Sequence, residues 1–337
     1  MKVLVTGGTG FVGSHVARQL AAEGHTVRAL HRATSKLDAL DGVPFESAPG
    51  DILDADSLRA ACAGCDWVFH VAAVSSYWRS SPDAIFEANV RGTKQVLAAA
   101  REAGVKRVVF TSSAAAVGLR HDGVPSTEAE VFNQSPSRFP YGYSKALAET
   151  VCRDAVRDGL DVVIVNPVVV MGPGDLNRIS GELILSVAQL GPALPVPPGG
   201  VALTDVRDVA RWHVRAAERG ITGERYLLGS VNMAHADLFA YIADIANVPR
   251  PGLPIPGAVL PVLGTILDML RALGIPVKAD GTQIRLSGRD VFFDSAKAWA
   301  AFGPPEYALR DTLADAYRWY AERGAIPQSA WMRLIGR

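Results

Sequence analysis

Short apolar, β-branched runs alternate with longer amphipathic segments through the first half of the chain. Lys2–Thr6, Thr26–His31, Phe45–Ala48, Trp67–Val71, Arg107–Thr111 and Val162–Val165 have the strand pattern. Between them, Gly10–Glu23 places Val12, Val16 and Leu20 on one helical face, and Gly24 stops it. The same reasoning predicts a short helix over Leu37–Leu40, a helix over Asp54–Cys62 capped by Asp54, a long helix over Pro82–Ala103, and another over Tyr141–Asp158. Strands alternating with helices imply right-handed crossovers. The expected fold class is α/β, a doubly wound parallel sheet with a smaller C-terminal α/β lobe for substrate.

After Pro167 the character changes. Gly172-Pro173-Gly174, Gly191-Pro192 and Pro197-Pro198-Gly199-Gly200 break the pattern into short elements. Residues 1–166 form the expected nucleotide domain, and 167–337 mostly the substrate lobe, with 201–231 returning to the sheet. Leu309–Arg323 reads as an amphipathic terminal helix.

The chain has 337 residues, 49% apolar and 20% charged, enough to bury a full core. Its net charge is zero, so no nucleic-acid partner is expected. Of three cysteines, Cys62 and Cys65 form a lone C-x-x-C with no histidine cluster, and no metal site is expected. The apolar stretch Ile255–Leu267 contains Pro and Gly and is too short to span a bilayer. A lid or core helix is the preferred reading there, ahead of an oligomer or membrane-surface contact. No signal-peptide pattern precedes the first strand, so a cytoplasmic protein without integral membrane segments is expected.

Candidate chemistry begins at the end of the first strand. Gly7, Gly10 and Gly13 sit between that strand and a helix opening at Phe11 and Val12. A strand turning tightly into a helix N-terminus presents free N–H groups and a positive dipole end, which suits a pyrophosphate. This is the Rossmann arrangement. An NAD enzyme places Asp or Glu roughly twenty residues after the glycines. Here that window holds Arg32, Ser35 and Lys36 and no acid, which fits a 2′-phosphate and favours NADP(H) over NAD(H), with NAD(H) still open. Asp51 could accept the adenine amino group while Ile52 packs on the ring, and Val71-Ala72-Ala73 offers small side chains for close approach.

Tyr141 and Lys145 stand four apart and share a helix face, whereas Tyr143 points away. A free phenol titrates near about 10, and a neighbouring ammonium lowers that value. A hydroxyl at a strand end completes the set: Ser113 first, Ser112 second.

The chain resembles the extended short-chain dehydrogenase/reductase family over nearly its whole length. The likeness rests on Thr6 to Gly13, Asp51-Ile52, His70 to Ala73, Asn89-Val90-Arg91-Gly92-Thr93, Thr111 to Ser113, Tyr141 with Lys145, and Asn166-Pro167 before Gly172-Pro173-Gly174. The stretches Val27–Arg32, Gly174–Asn177, Asp205–Val209 and Phe292–Ser295 resemble the branch of dihydroflavonol-reductase-like and hopanoid-associated-epimerase-like proteins. The resemblance implies hydride delivery from NADPH to a carbonyl carbon, a proton from Tyr141, an oxygen held by Ser113, and Lys145 on the nicotinamide ribose. It implies Pro167 and Val168 beside the nicotinamide, and Asn89 either in a relay or as a kink. Asn166 stands where the family usually has Arg. A homodimer is a family-like expectation.

The family spans several chemistries, so the substrate must be read from the lobe. Ile179–Leu203 lacks Lys and Arg but carries Leu183, Ile184, Leu185, Val187, Leu190, Leu194 and Val196. An apolar pocket of this kind suits a ketone or aldehyde on a hydrophobic skeleton. A nucleotide-sugar epimerase or dehydratase ranks second, with Arg178, Arg207, Arg271 and Arg285 as phosphate partners, and a non-catalytic cofactor-binding regulator third. Ser75, Tyr77, Trp78, Ser113 and Val170 are the candidate substrate contacts.

Overall fold

The computed structural model describes residues 1–75, 80–275 and 280–326. Apolar runs become strands β1 (Lys2–Thr6), β2 (Thr26–His31), β3 (Glu46–Pro49), β4 (Trp67–His70), β5 (Arg107–Thr111) and β6 (Val162–Pro167). The helices between them are α1 (Phe11–Ala22), α2 (Ala55–Cys62), α3 (Pro82–Phe86), α4 (Gly92–Glu102) and α5 (Pro140–Arg157). Asp54 caps α2 by accepting the Asp56 N–H.

The chain continues through β7 (Val169–Met171), α6 (Glu182–Leu190), β8 (Pro195–Val196), β9 (Gly200–Asp205), α7 (Val206–Arg219), β10 (Arg225–Leu228) and β11 (Val231–Ala234). It ends with α8 (His235–Ala246), β12 (Leu253–Pro254), α9 (Leu260–Ala272), α10 (Gly281–Leu286), β13 (Asp290–Val291), α11 (Ala296–Phe302) and α12 (Leu309–Glu322).

The seven-stranded sheet runs β10-β6-β5-β4-β1-β2-β3 and is parallel throughout. One face is covered by a core joining Val16 and Leu20 of α1 to Val209 and Trp212 of α7. The other is covered by Leu58 of α2, Val96 and Leu97 of α4, and Ala148 and Cys152 of α5. The order reverses between β1 and β4, and ligands of such sheets sit at the carboxyl ends beside that reversal. Of residues 201–231, β9 belongs to a second sheet with β7, β11 and β13, whereas α7 packs on α1 and β10 extends the large sheet.

The long helix expected over 82–103 is interrupted by a π-helical turn at Glu87–Arg91, which agrees with the kink weighed for Asn89. Within that turn Asn89 points inward and bonds the backbone of Val74 through both its Oδ1 and Nδ2. Of the two readings preferred for Ile255–Leu267, a lid or a core helix, the core helix is not what forms. Leu260 is buried, but Val262, Leu263, Ile266 and Met269 of α9 are exposed. Asp268 and Arg271 pair instead with Arg285 and Asp280, near or on α10.

The apolar residues of the lobe are largely spent on its own core. Ile184 and Val187 of α6 pack with Leu238 and Ile242 of α8 and Leu313 of α12, with Leu183, Leu194 and Val196 beside them. Among the described residues, no helix is long and apolar enough to cross a membrane.

Candidate active site

The glycine turn is built by close approach. Gly7 has φ +71°, and a Cβ there would lie 2.6 Å from the Ala72 nitrogen. A Cβ on Gly13 would lie 2.1 Å from the Gly7 carbonyl oxygen. Gly10 donates its N–H to that same oxygen at 2.9 Å and caps α1 without a side chain. Phe11 and Val12 therefore open a helix whose first N–H groups have no side-chain cap, a cradle suited to a pyrophosphate. Val71, Ala72 and Ala73 follow β4 immediately beside the turn.

A hydrogen-bond chain missed in the sequence fixes this junction. Thr93 Oγ1 donates to the Asn89 carbonyl at 2.7 Å, so it must accept from His70 Nε2 at 3.0 Å. His70 Nδ1 then accepts from Thr6 Oγ1 at 2.8 Å, and Thr6 accepts the Ala72 N–H at 3.2 Å. Burial pushes His70 down to about 3, in keeping with a neutral ring. The end of β1 is thereby tied to the π turn. Asn89 holds Val74 on both sides, accepting its N–H at 2.8 Å, and donates to Ser144 Oγ at 3.0 Å on α5. From within the π turn it is a brace between two site elements.

The strand-end serines part company. Ser112 Oγ turns inward to Glu149 Oε1 at 2.6 Å. Ser113 is half-buried; its Oγ accepts the Ala115 N–H at 3.2 Å and lies beside the Tyr141 phenol. Pro140 starts α5, which puts Tyr141 in its first turn. Tyr143 points elsewhere, into Phe86 and Phe132 at ring separations of 6.1 and 5.9 Å. Lys145 is 2% exposed; its Nζ donates to the Thr111 carbonyl at 2.8 Å and lies 5.0 Å from the Phe110 ring.

The expected lowering of the phenol by Lys145 is not what the chain itself provides. Burial raises Tyr141 above the ordinary tyrosine range, and the Ser113 hydrogen bond pulls it back in part. Burial lowers Lys145 to about 8, against a weaker upward pull from Cys152 and Glu149. The site holds a protonated phenol, which is an acid ready to donate.

Arg32 and Lys36 lie exposed beyond β2 with Ser35 half-buried between them, and neither cation has an ion pair among the described residues. Asp51 Oδ1 accepts the Leu53 N–H at 2.9 Å, closing the turn before α2. Ile52 packs against Gly92, where a Cβ would lie 2.7 Å from Ile52 Cδ1. Pro167 ends β6 fully buried. The Val168 side chain joins a cluster with Ala114, Leu227 and Phe293. Val170 packs against the α1 core rather than standing free. Ser75 is half-buried beyond β4. Tyr77 and Trp78 lie outside the described residues.

Cations for a substrate diphosphate are scarce. Arg207 is paired with Asp205 and Asp315, Arg271 with Asp280, and Arg285 with Asp268. Arg178 is exposed at φ +54°, without an ion pair among the described residues.

A doubly wound sheet, a glycine cradle at its reversal, and a Ser-Tyr-Lys set around a buried lysine define a dinucleotide-dependent oxidoreductase of extended short-chain dehydrogenase/reductase type. The chain belongs to the NAD dependent epimerase/dehydratase family, whose sequence signature it matches over residues 3–229. It is 37% identical to a Synechocystis sp. protein named for dihydroflavonol 4-reductase, over 96% of this chain and 95% of that protein. It is 35% identical to the sterol demethylase protein B of Methylococcus capsulatus, over 97% of this chain and 100% of the relative. The crystal structure of gox2253 superposes with a TM-score of 0.85 at 36% identity, covering 96% of this chain and 99% of that one.

Proposed function

We propose that this chain reduces a ketone or aldehyde on a hydrophobic small molecule, using NADP(H). The observation that carries the reading is the placing of Tyr141 and the buried Lys145 one turn apart on α5, facing the end of β5, where Lys145 Nζ donates to the Thr111 carbonyl and Ser113 follows. A bound nicotinamide supplies the hydride. Ser113 holds the carbonyl oxygen, and Tyr141 donates the proton that this oxygen takes up as the carbon is reduced. Lys145 binds the nicotinamide ribose and, once a cofactor orders it, favours the phenolate that proton transfer leaves. Gly7, Gly10, Phe11, Val12 and Gly13 cradle the pyrophosphate. Arg32, Ser35 and Lys36 take the ribose 2′-phosphate, and Asp51 the adenine.

The substrate class is supported by the commitment of Arg207, Arg271 and Arg285 to carboxylates, which leaves one of the four candidate arginines for a diphosphate. The reductase and sterol-related names of the relatives agree with that direction. Arg178 favours the second reading, a nucleotide-sugar epimerase or dehydratase, as do the epimerase and dehydratase names of similar solved structures. Mixing purified protein with NADPH and, separately, hydrophobic ketones, aryl aldehydes and UDP-sugars separates the two. Net NADPH oxidation with an apolar carbonyl supports reduction; sugar conversion without net oxidation overturns it.

A further inference from the structure

One buried carboxylate of α5 has no part in the reading above. Glu149 is 1% exposed and lies one turn beyond Lys145 and two beyond Tyr141 on the same face. Its Oε1 accepts from Ser112 Oγ at 2.6 Å and from Asn166 Nδ2 at 2.6 Å. Its Oε2 accepts from Arg225 Nη1 at 2.9 Å and Arg153 Nη2 at 3.0 Å. Four donors on two oxygens are what an ionised carboxylate takes.

Asn166 spends its second amide hydrogen on the Ser113 carbonyl oxygen at 2.9 Å, and its own Oδ1 is buried without a partner. An orphaned buried acceptor is unfavourable, so the two donated bonds are what hold the side chain there. Arg225 reaches in from β10, anchored on the carbonyls of Glu128 and Glu130. Glu149 thus joins α5, β6, β10 and the strand end that carries Ser113.

We propose that Glu149 is a positioning residue: it keeps Lys145 charged and, through Asn166, fixes Ser113 opposite Tyr141. This rests on the roles given above to Ser113, Tyr141 and Lys145. The groups facing Lys145 are Glu149 and Cys152 on its own helix, the Thr111 carbonyl and Phe110 ring of β5, and the neutral His70 of β4. Burial holds the Cys152 thiol well above its ordinary value, so near pH 8 it is uncharged and Glu149 supplies the negative charge. Facing Glu149 itself are Ser112, Asn166, Arg225, Arg153, Cys152 and Lys145.

The signature is a displaced alkaline limb. Lys145 loses its proton as pH rises, and cofactor affinity and turnover fall with it. In Glu149→Gln the limb of NADPH affinity, read from nicotinamide fluorescence, should move down by about one pH unit. Glu149→Asp keeps the charge and should restore the limb while turnover stays reduced. A Gln variant whose limb coincides with the parent overturns the proposal.

Where the Gln variant fails to fold, Arg153→Met decides. Its side chain is half exposed, and removing its charge from Glu149 should move the limb upward by about half a pH unit. An unmoved limb there overturns the proposal equally. The reductase reading fails on a different result: parent protein that binds NADPH but turns over no carbonyl. A chain that binds neither NADPH nor NADH overturns both.

Discussion

Tyr141 and Lys145 stand one turn apart on α5, and both face the end of β5. The phenol lies beside Ser113, just past the strand, and the ammonium donates to the Thr111 carbonyl at 2.8 Å. Replacing Tyr141 with Phe keeps the ring and removes only the transferable proton. Positioned acid–base groups contribute about 10²–10⁴-fold, so kcat should fall by that range while NADPH affinity changes less than about threefold. Single-turnover kinetics with an accepted carbonyl checks this. A Phe variant that keeps a tenth of parental kcat would remove Tyr141 from the chemistry.

In the proposed reading, the exposed pair Arg32 and Lys36 sets the choice of dinucleotide. A charge-assisted bond from a guanidinium to phosphate is worth about 1.5–3 kcal/mol. Arg32→Ala should therefore lower kcat/KM for NADPH by about 10- to 100-fold and leave that for NADH nearly unchanged. Lys36→Ala should act in the same direction and more weakly. Equal losses for both cofactors would show that Arg32 does not meet the 2′-phosphate.

At the glycine turn the constraint is steric. A methyl on Gly13 would sit 2.1 Å from the Gly7 oxygen, which is backbone and cannot swing aside. Overpacking of this kind costs about 1–3 kcal/mol, and it displaces the oxygen that receives the Gly10 N–H. Gly13→Ala should melt several degrees lower and bind NADPH about 100-fold more weakly. Calorimetry and fluorescence titration measure the two effects, and unchanged affinity would argue that the dinucleotide lies elsewhere.

Much of this arrangement was legible in the sequence because its causes are local. Strands such as Val3-Leu4-Val5 are apolar runs bounded by glycine, and Tyr141 and Lys145 share a face by spacing alone. What escaped notice depends on distant partners. Asn89, in the π turn, bonds Val74, 15 residues earlier. Ser112 is taken by Glu149, 37 residues later, which leaves Ser113 for the site. Arg225 meets Glu149 across 76 residues. The apolar periodicity of α9 marks a face but does not say whether anything covers it, and in the chain Val262, Ile266 and Met269 are left exposed. The run from Leu183 to Val196 suggested a pocket wall, yet apolar pattern is shared by walls and cores, and here packing took it.

The buried histidines make the fold sensitive to acid. His70 is pushed down to about 3 and His213 to about 4, each first by burial, with a carbonyl bond from Val209 opposing the shift at His213. His213 has its own fixed tautomer, donating from Nδ1 to the Val209 carbonyl at 2.7 Å and accepting from Thr111 Oγ1 at 2.8 Å. In the unfolded chain both titrate near about 6.5. Below that pH the unfolded state binds a proton at each of these two residues that the folded state does not, so their contribution to stability is complete above about 6.5 and falls as pH drops toward the folded values. At about 1.36 kcal/mol per proton per pH unit, the two together approach about 3 kcal/mol per pH unit between pH 6 and 4.5. Urea unfolding at a series of pH values measures the slope. His213→Gln can keep one of these hydrogen bonds and cannot titrate, so its slope should be shallower by about one proton. A variant that loses stability with the parent's slope would show that His213 is protonated inside the fold and that acid sensitivity arises at other groups.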